Sequence, residues 1–164
     1  MGFGDDASGL RSPRLRLTFR IANMRCEEMM SPDVEVVDEN DAVLVAADKM
    51  RKTNLGFLPV VDKHGRAIGT ISDRDIAIRV VAEDLPSSTA VWAVMTRGIV
   101  SCRTVDNVNY AAELMAQNGI SRIIVVDARE RPVGILSLSD LALWGEEQTG
   151  ETLRRVREKE LHRH

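Results

Sequence analysis

Residues 58–75 read LPVVDKHGRAIGTISDRD, and residues 123–140 read IIVVDARERPVGILSLSD. The second string repeats the first at an offset of 65 positions, and the match extends without a gap from residues 30–77 onto residues 95–142. Met30 falls on Met95, Asp41 on Asp106, and Val43, Ala46, Ala47 and Met50 fall on Val108, Ala111, Ala112 and Met115. Val60-Val61-Asp62 falls on Val125-Val126-Asp127, and Gly69, Ser72 and Asp75 fall on Gly134, Ser137 and Asp140. Self-similarity at a fixed period signals a chain built from copies of one unit.

Each copy predicts the same succession of elements. Val34 to Val37, and Ile99 to Cys102, form a short extended segment. Asp41 and Asp106 stand where a helix N-cap is expected, with a carboxylate for the first free backbone N–H groups. The apolar residues that follow recur at i, i+3, i+4 and i+7, which puts them on one helical face. Two aliphatic runs around Asp62 to Arg66, or Asp127 to Arg131, then predict a β-hairpin. Their continuous apolarity implies burial on both faces. A second helix opens at Ser72 or Ser137. The expected fold class is α/β (α+β): two pseudo-symmetric repeats, each a small sheet with two packed helices. The expected boundaries are an N-terminal extension over 1–28, repeats over 29–82 and 94–145, a linker over 83–93, and a charged tail over 146–164. One copy is near the lower size limit for a stable core, so the two are expected to dock.

Composition narrows the function. The chain has 164 residues, 44% hydrophobic and 29% charged, as in ordinary soluble domains. A net charge of -3 argues against general nucleic-acid binding. No apolar run approaches the ~18 residues that span a bilayer, and a cytoplasmic location is the default expectation. The two cysteines, Cys26 and Cys102, form no CxxC pair and sit beside no histidine cluster, so they read as free thiols and no metal site is expected. His64 lies in a turn, and His162 and His164 in the charged tail; each reads as solvated. Leu15, Leu17, Phe19 and Ile21 alternate with basic and polar residues, which suits an edge strand, a swapped arm or an extension. Trp92 and Trp144 read as core or interface residues. Glu151 and Arg155 could pair at i, i+4 in an otherwise solvated tail.

The pattern Gly-x-x-Ser-x-x-Asp, at Gly69-Ser72-Asp75 and Gly134-Ser137-Asp140, carries the candidate chemistry. It sets a hydroxyl and a carboxylate at a helix start, where free N–H groups favour phosphate and an acid can hold ribose hydroxyls. Glycine permits close backbone approach. Ser-x-x-Asp is equally a capping box that merely satisfies the helix end.

The ordered set Met-Ser/Thr, Ala-Ala-x-x-Met, Leu-Pro-Val-Val-Asp (Ile-Ile-Val-Val-Asp in the second copy) and Gly-x-x-Ser-x-x-Asp resembles the CBS domain in its usual tandem pair over about residues 29–143. That resemblance implies a regulatory, non-catalytic module, needing no cofactor, that binds AMP, ADP, ATP, NAD or S-adenosylmethionine between repeats, in some cases as an energy sensor. It implies phosphate contacts from Ser72 and Ser137, ribose contacts from Asp75 and Asp140, and an adenine slot beside Val36 and Val37, or Ser101 and Cys102. It also implies a phosphate contact from Arg122, whose counterpart in the first repeat is Phe57. If such contacts cross between repeats, Arg122 serves the Asp75 site and favours it for phosphates, with Arg74 adding charge. A homodimer and a separate effector protein are the implied partners. The alternative is a structural or dimerising scaffold with empty pockets; an enzyme lacks a nucleophile–base pair in this sequence.

Overall fold

The computed structural model describes residues 23–142 and 146–161. The alternating segment at residues 15–21, Trp144, His162 and His164 lie outside the described residues. In chain order the elements are α1 (Cys26–Met29), β1 (Val37–Asp38), α2 (Val43–Thr53), β2 (Phe57–Val61), β3 (Ala67–Ser72) and α3 (Asp73–Ile76), which continues as a π-helical turn over Ala77–Val81. Then follow α4 (Val91–Val94), β4 (Thr96–Arg97), β5 (Ser101–Arg103), α5 (Val108–Asn118), β6 (Arg122–Val126), β7 (Pro132–Ser137), α6 (Leu138–Ala142) and α7 (Glu146–Leu161).

The repeat is realised strand by strand. In each half a short strand pairs parallel to the first hairpin strand, β1 with β2 and β5 with β6. The hairpins β2–β3 and β6–β7 are antiparallel and carry a bulge at the same place, Val60/Val61 and Val125/Val126. The helical face predicted for α2 buries Val43, Ala46 and Met50; α5 buries Val108, Ala111, Ala112, Met115 and Ala116. Both helices end on a left-handed residue, Asn54 (φ 55°) and Gly119 (φ 60°), which frees the chain to turn back into the sheet. Val60 on β2 and Val125 on β6 are fully buried in separate cores, one per half.

Two expectations are corrected locally. Asp41 and Asp106 are not N-caps: the helices begin one residue later than they require, with Ala42 and Asn107 in the cap position, and Asn107 accepts from the Asn109 N–H. The two carboxylates instead close the preceding turns, accepting from the N–H groups of Asp38 (3.2 Å) and Arg103 (2.7 Å). The charged C-terminal segment is also not a frayed tail. It forms α7, whose Thr152 and Val156 are buried because their spacing of four aligns them on one face against the second core. Arg155 pairs with Glu113 on α5 through two contacts of 2.7 and 2.8 Å. Trp92 is 47% exposed and is no core residue.

The halves exchange their leading segments. The stretch around α1 docks on the second half: Cys26 N–H donates to the Asp106 carbonyl, Glu27 N–H to Thr104, and Val108 N–H to Met24. The stretch around α4 docks on the first half through the equivalent bonds, from Val91 to Asp41, Trp92 to Glu39, and Val43 to Thr89. Ser31 then bridges to Ile135 on β7, as Thr96 pairs with Thr70 on β3. The glycines that recur in the two motifs make room for this crossing. A Cβ on Gly69 would stand 2.5 Å from the Thr96 carbonyl oxygen, and one on Gly134 would enter the Met30 side chain.

Gly69→Ala is therefore expected to destabilise the chain by about 1–3 kcal/mol, and Gly134→Ala by less, because Met30 can rotate and a backbone carbonyl cannot; urea midpoints of the two variants check the order. The Arg155 guanidinium, assisted by Gln117, holds the Glu113 carboxyl at about 2 against an ordinary value of 4.5. A lowered carboxylate stabilises the fold above its unfolded value and ceases to do so as pH falls through its folded one. Between pH 4.5 and about 2, wild type is expected to lose stability that Glu113→Gln does not, by a small margin since both side chains are near half-exposed.

Candidate functional site

The two Gly-x-x-Ser-x-x-Asp motifs lie where a hairpin's last strand enters a helix. Ser72, at φ -119° and ψ 162°, caps α3: its Oγ accepts from the Asp75 N–H at 3.1 Å. In return the Asp75 Oδ2 accepts from the Ser72 N–H (2.9 Å) and hydroxyl (2.8 Å). Ser137 and Asp140 repeat the arrangement, with the Ser137 N–H at 2.7 Å from Oδ2 and the Asp140 N–H at 3.3 Å from Oγ. Both motifs are thus complete capping boxes. Each nevertheless commits only one carboxylate oxygen to the cap.

The second oxygen distinguishes the halves. Asp75 Oδ1 lies 3.1 Å from the Arg79 guanidinium, one helical turn on. Arg79 also donates to the Val94 carbonyl (2.7 Å) and the Thr96 hydroxyl (3.2 Å), so Asp75 helps to anchor the exchanged α4–β4 segment. The residue equivalent to Arg79 in the second repeat is Trp144. Among the described residues no cation pairs with Asp140. The i+4 spacing of Asp75 and Arg79 was visible in the sequence; what Arg79 reaches was not.

A cavity of about 270 Å³ opens beside the second motif. Ser137, Asp140 and Arg122 line it from the second half, Gly56 and Phe57 from the first, and Ser31 and Asp33 from the exchanged segment. Arg122 stands directly opposite Ser137 in the β6–β7 register, as Phe57 stands opposite Ser72. Arg122, expected to serve Asp75 across the repeats, lines the cavity of Asp140 together with Phe57 from the other half. Arg74 is exposed at the start of α3. Ser31, Asp33 and Ser139 also line the cavity, and sequence gives no signal for them, since the repeat does not show which half a leading segment joins.

None of the residues expected for an adenine slot, Val36, Val37, Ser101 and Cys102, lines this cavity. Val37 is fully buried in the first core, and the Val36 carbonyl accepts from Lys49 Nζ. Ser101 and Cys102 border a separate cavity of about 330 Å³ with Tyr110 and the acidic Asp106, Asp127 and Glu130. There the Arg131 N–H and guanidinium hold the Asp127 carboxyl below the usual range. Cys102 is 2% exposed, so its side chain belongs to the core. Ser72 and Asp75 line neither cavity. No group of three or more His, Cys, Asp and Glu suited to a metal ion occurs among the described residues. No helix among them is long and apolar enough to cross a membrane.

Comparison with known proteins agrees with this architecture. The CBS domain family matches twice, over residues 26–82 and 91–147. The CBS domain-containing protein YhcV of Bacillus subtilis (strain 168) is 34% identical over 138 residues, covering 83% of this chain and 97% of its own. A conserved CBS domain protein of unknown function from Thermoplasma acidophilum, TA0289, superposes with a TM-score of 0.70 at 29% identity, over 82% of this chain and 76% of that one. The CBS domain pair of protein MJ0100, solved in complex with 5'-methylthioadenosine and S-adenosyl-L-methionine, superposes with a TM-score of 0.64 at 28% identity, over 73% and 94%.

Because the serine hydroxyls close the caps with or without a ligand, Ser72→Ala and Ser137→Ala are each expected to lower the unfolding free energy by about 0.5–2 kcal/mol in ligand-free protein. Chemical denaturation of the two variants measures it, and no loss in either refutes the structural half of the motif's role.

Proposed function

The chain belongs to the CBS domain family as a tandem pair, and from that premise we propose that it is a regulatory sensor that takes an adenosine-type ligand in the cavity bearing Asp140. One observation carries the reading: Asp140, with an oxygen left over from its cap and no paired cation among the described residues, shares an inter-half cavity with Arg122 and Phe57. The free oxygen suits paired ribose hydroxyls, the guanidinium suits a phosphate or carboxylate, and the ring suits the face of a base. The volume of about 270 Å³ is near the lower end of small-ligand clefts, ~300–1,000 Å³. The MJ0100 pair, which binds adenosine derivatives, supports the ligand class.

In this reading AMP, ADP, ATP, NAD or S-adenosylmethionine occupies the Asp140 site first, while Asp75, held by Arg79, is chiefly structural. These are binding groups, so the proposal is a module that reports ligand to a separate effector rather than an enzyme. It extends to a cytoplasmic homodimer, supported by the exposed Leu44, Ile78 and Val81 on the helices of the first half. A scaffold without ligand is the second reading, and it too has an observation: both Ser-x-x-Asp motifs are satisfied as caps.

Thermal denaturation with each of the five ligands separates the two, since a ligand specific to the folded state raises the melting temperature with concentration. At least one is expected to do so, with the shift abolished by Asp140→Ala and retained by Asp75→Ala. Arg122→Ala is expected to weaken a phosphate-bearing ligand about 10–100-fold, as for a lost charge-assisted hydrogen bond. No shift with any ligand selects the scaffold.

A further inference from the structure

Cys26 and Cys102 stand 76 positions apart in the chain, yet their sulfurs lie 3.5 Å from one another in the second core. Both thiols are free, with residue exposures of 0% and 2%. Cys26 sits on α1, in the segment that crosses from the first repeat; Cys102 sits on β5, in the sheet that receives it. The internal repeat supplies a control for what packing alone requires. The equivalent positions in the first half are Val91 on α4 and Val37 on β1, both fully buried in the first core. An aliphatic pair fills that junction, so a pair of thiols in the second half is more than the packing demands.

We propose that Cys26 and Cys102 form a reversible intrachain disulfide that fastens the exchanged α1 segment to the second half. The oxidant is a small-molecule disulfide of the glutathione class. The Cys26 thiolate attacks it and releases one small thiol, leaving a mixed disulfide at Cys26. The Cys102 thiolate then attacks the Cys26 sulfur and releases the second small thiol. Two protein thiols are oxidised and one disulfide is reduced to two thiols, and the protons lost by the protein pass to the leaving thiolates. The order follows from the contact. The hydrogen bond that Cys102 donates lowers the Cys26 thiol, while that same bond and burial push Cys102 up. Reaching the ~2.0 Å bond asks the sulfurs to approach by about 1.5 Å, a side-chain-scale motion. Access requires α1 to lift, and only a few backbone bonds hold its four residues. A cytosolic disulfide with these properties is of the transient, redox-sensing kind.

The full-length chain, reduced and then incubated with oxidised glutathione, tests this directly. Acid quenching, unfolding, alkylation and mass spectrometry are expected to show the loss of two hydrogens, neither cysteine alkylated, and a linked Cys26–Cys102 peptide. The oxidised chain is expected to run as a single chain on a non-reducing gel. Its melting temperature is expected to rise by at least about 5 °C, because so long a loop is closed, and to fall back with dithiothreitol. Cys26→Val with Cys102→Val, the first half's own solution, is expected to fold and to show no oxidant-dependent shift. Two alkylated cysteines after incubation, a persistent glutathione adduct, a disulfide between chains, or an oxidised form no more stable than the reduced one would each overturn the proposal. None of these readouts depends on what the Asp140 cavity binds.

Discussion

Backbone supplied by one half completes the other, and the rest of the molecule is arranged around that exchange. The N–H groups of Cys26 and Glu27 end on carbonyls of the second half, and those of Val91 and Trp92 on carbonyls of the first. Buried backbone groups must find partners, so neither half can keep its core sealed once its borrowed segment is withdrawn. A repeat of this size is also close to the minimum that buries enough apolar surface for stability. Reciprocal exchange answers both constraints, and it explains why Gly69 and Gly134 carry no side chain: the incoming chain occupies the volume a Cβ would need.

The candidate site is a product of the same seam. Ser31 closes one wall only because its segment has crossed to pair with Ile135, and Phe57 reaches the cavity from the opposite half. The two helix-start motifs are chemically alike as far as their caps. They diverge at single positions outside the motif: Arg79, which draws Asp75 into holding the α4–β4 segment, and Arg122, which brings positive charge to Ser137 and Asp140. On the proposed reading, the duplicated motif serves as structure in one copy and takes the ligand in the other.

Two further departures from two-fold symmetry lie in the second half. There α7 covers part of α5 through Val156 and the Glu113–Arg155 pair, whereas Leu44 on the matching helix of the first half is 60% exposed. The thiol pair at Cys26 and Cys102 likewise replaces the aliphatic pair of Val91 and Val37. These two give the second half features that the first lacks, as Arg79 gives the first a contact that the second lacks.

The repeat, the helical faces of α2 and α5, the hairpins and the two capped motifs could all be read from the chain, because each depends on residues close in sequence or on a period that recurs. The roles of Asp41 and Asp106 are not legible in the same way, because a carboxylate near a helix start can close the turn before it as readily as cap the helix after it. The burial of Val156 was hidden in a highly charged segment, since two apolar positions per two turns are a faint signal. What only the tertiary structure decided is which half each leading segment joins, and therefore that Arg122, Phe57 and Ser31 share a cavity with Asp140. Both docking choices satisfy the same local hydrogen-bonding pattern, and the choice between them rests on long-range packing that no local run of residues encodes.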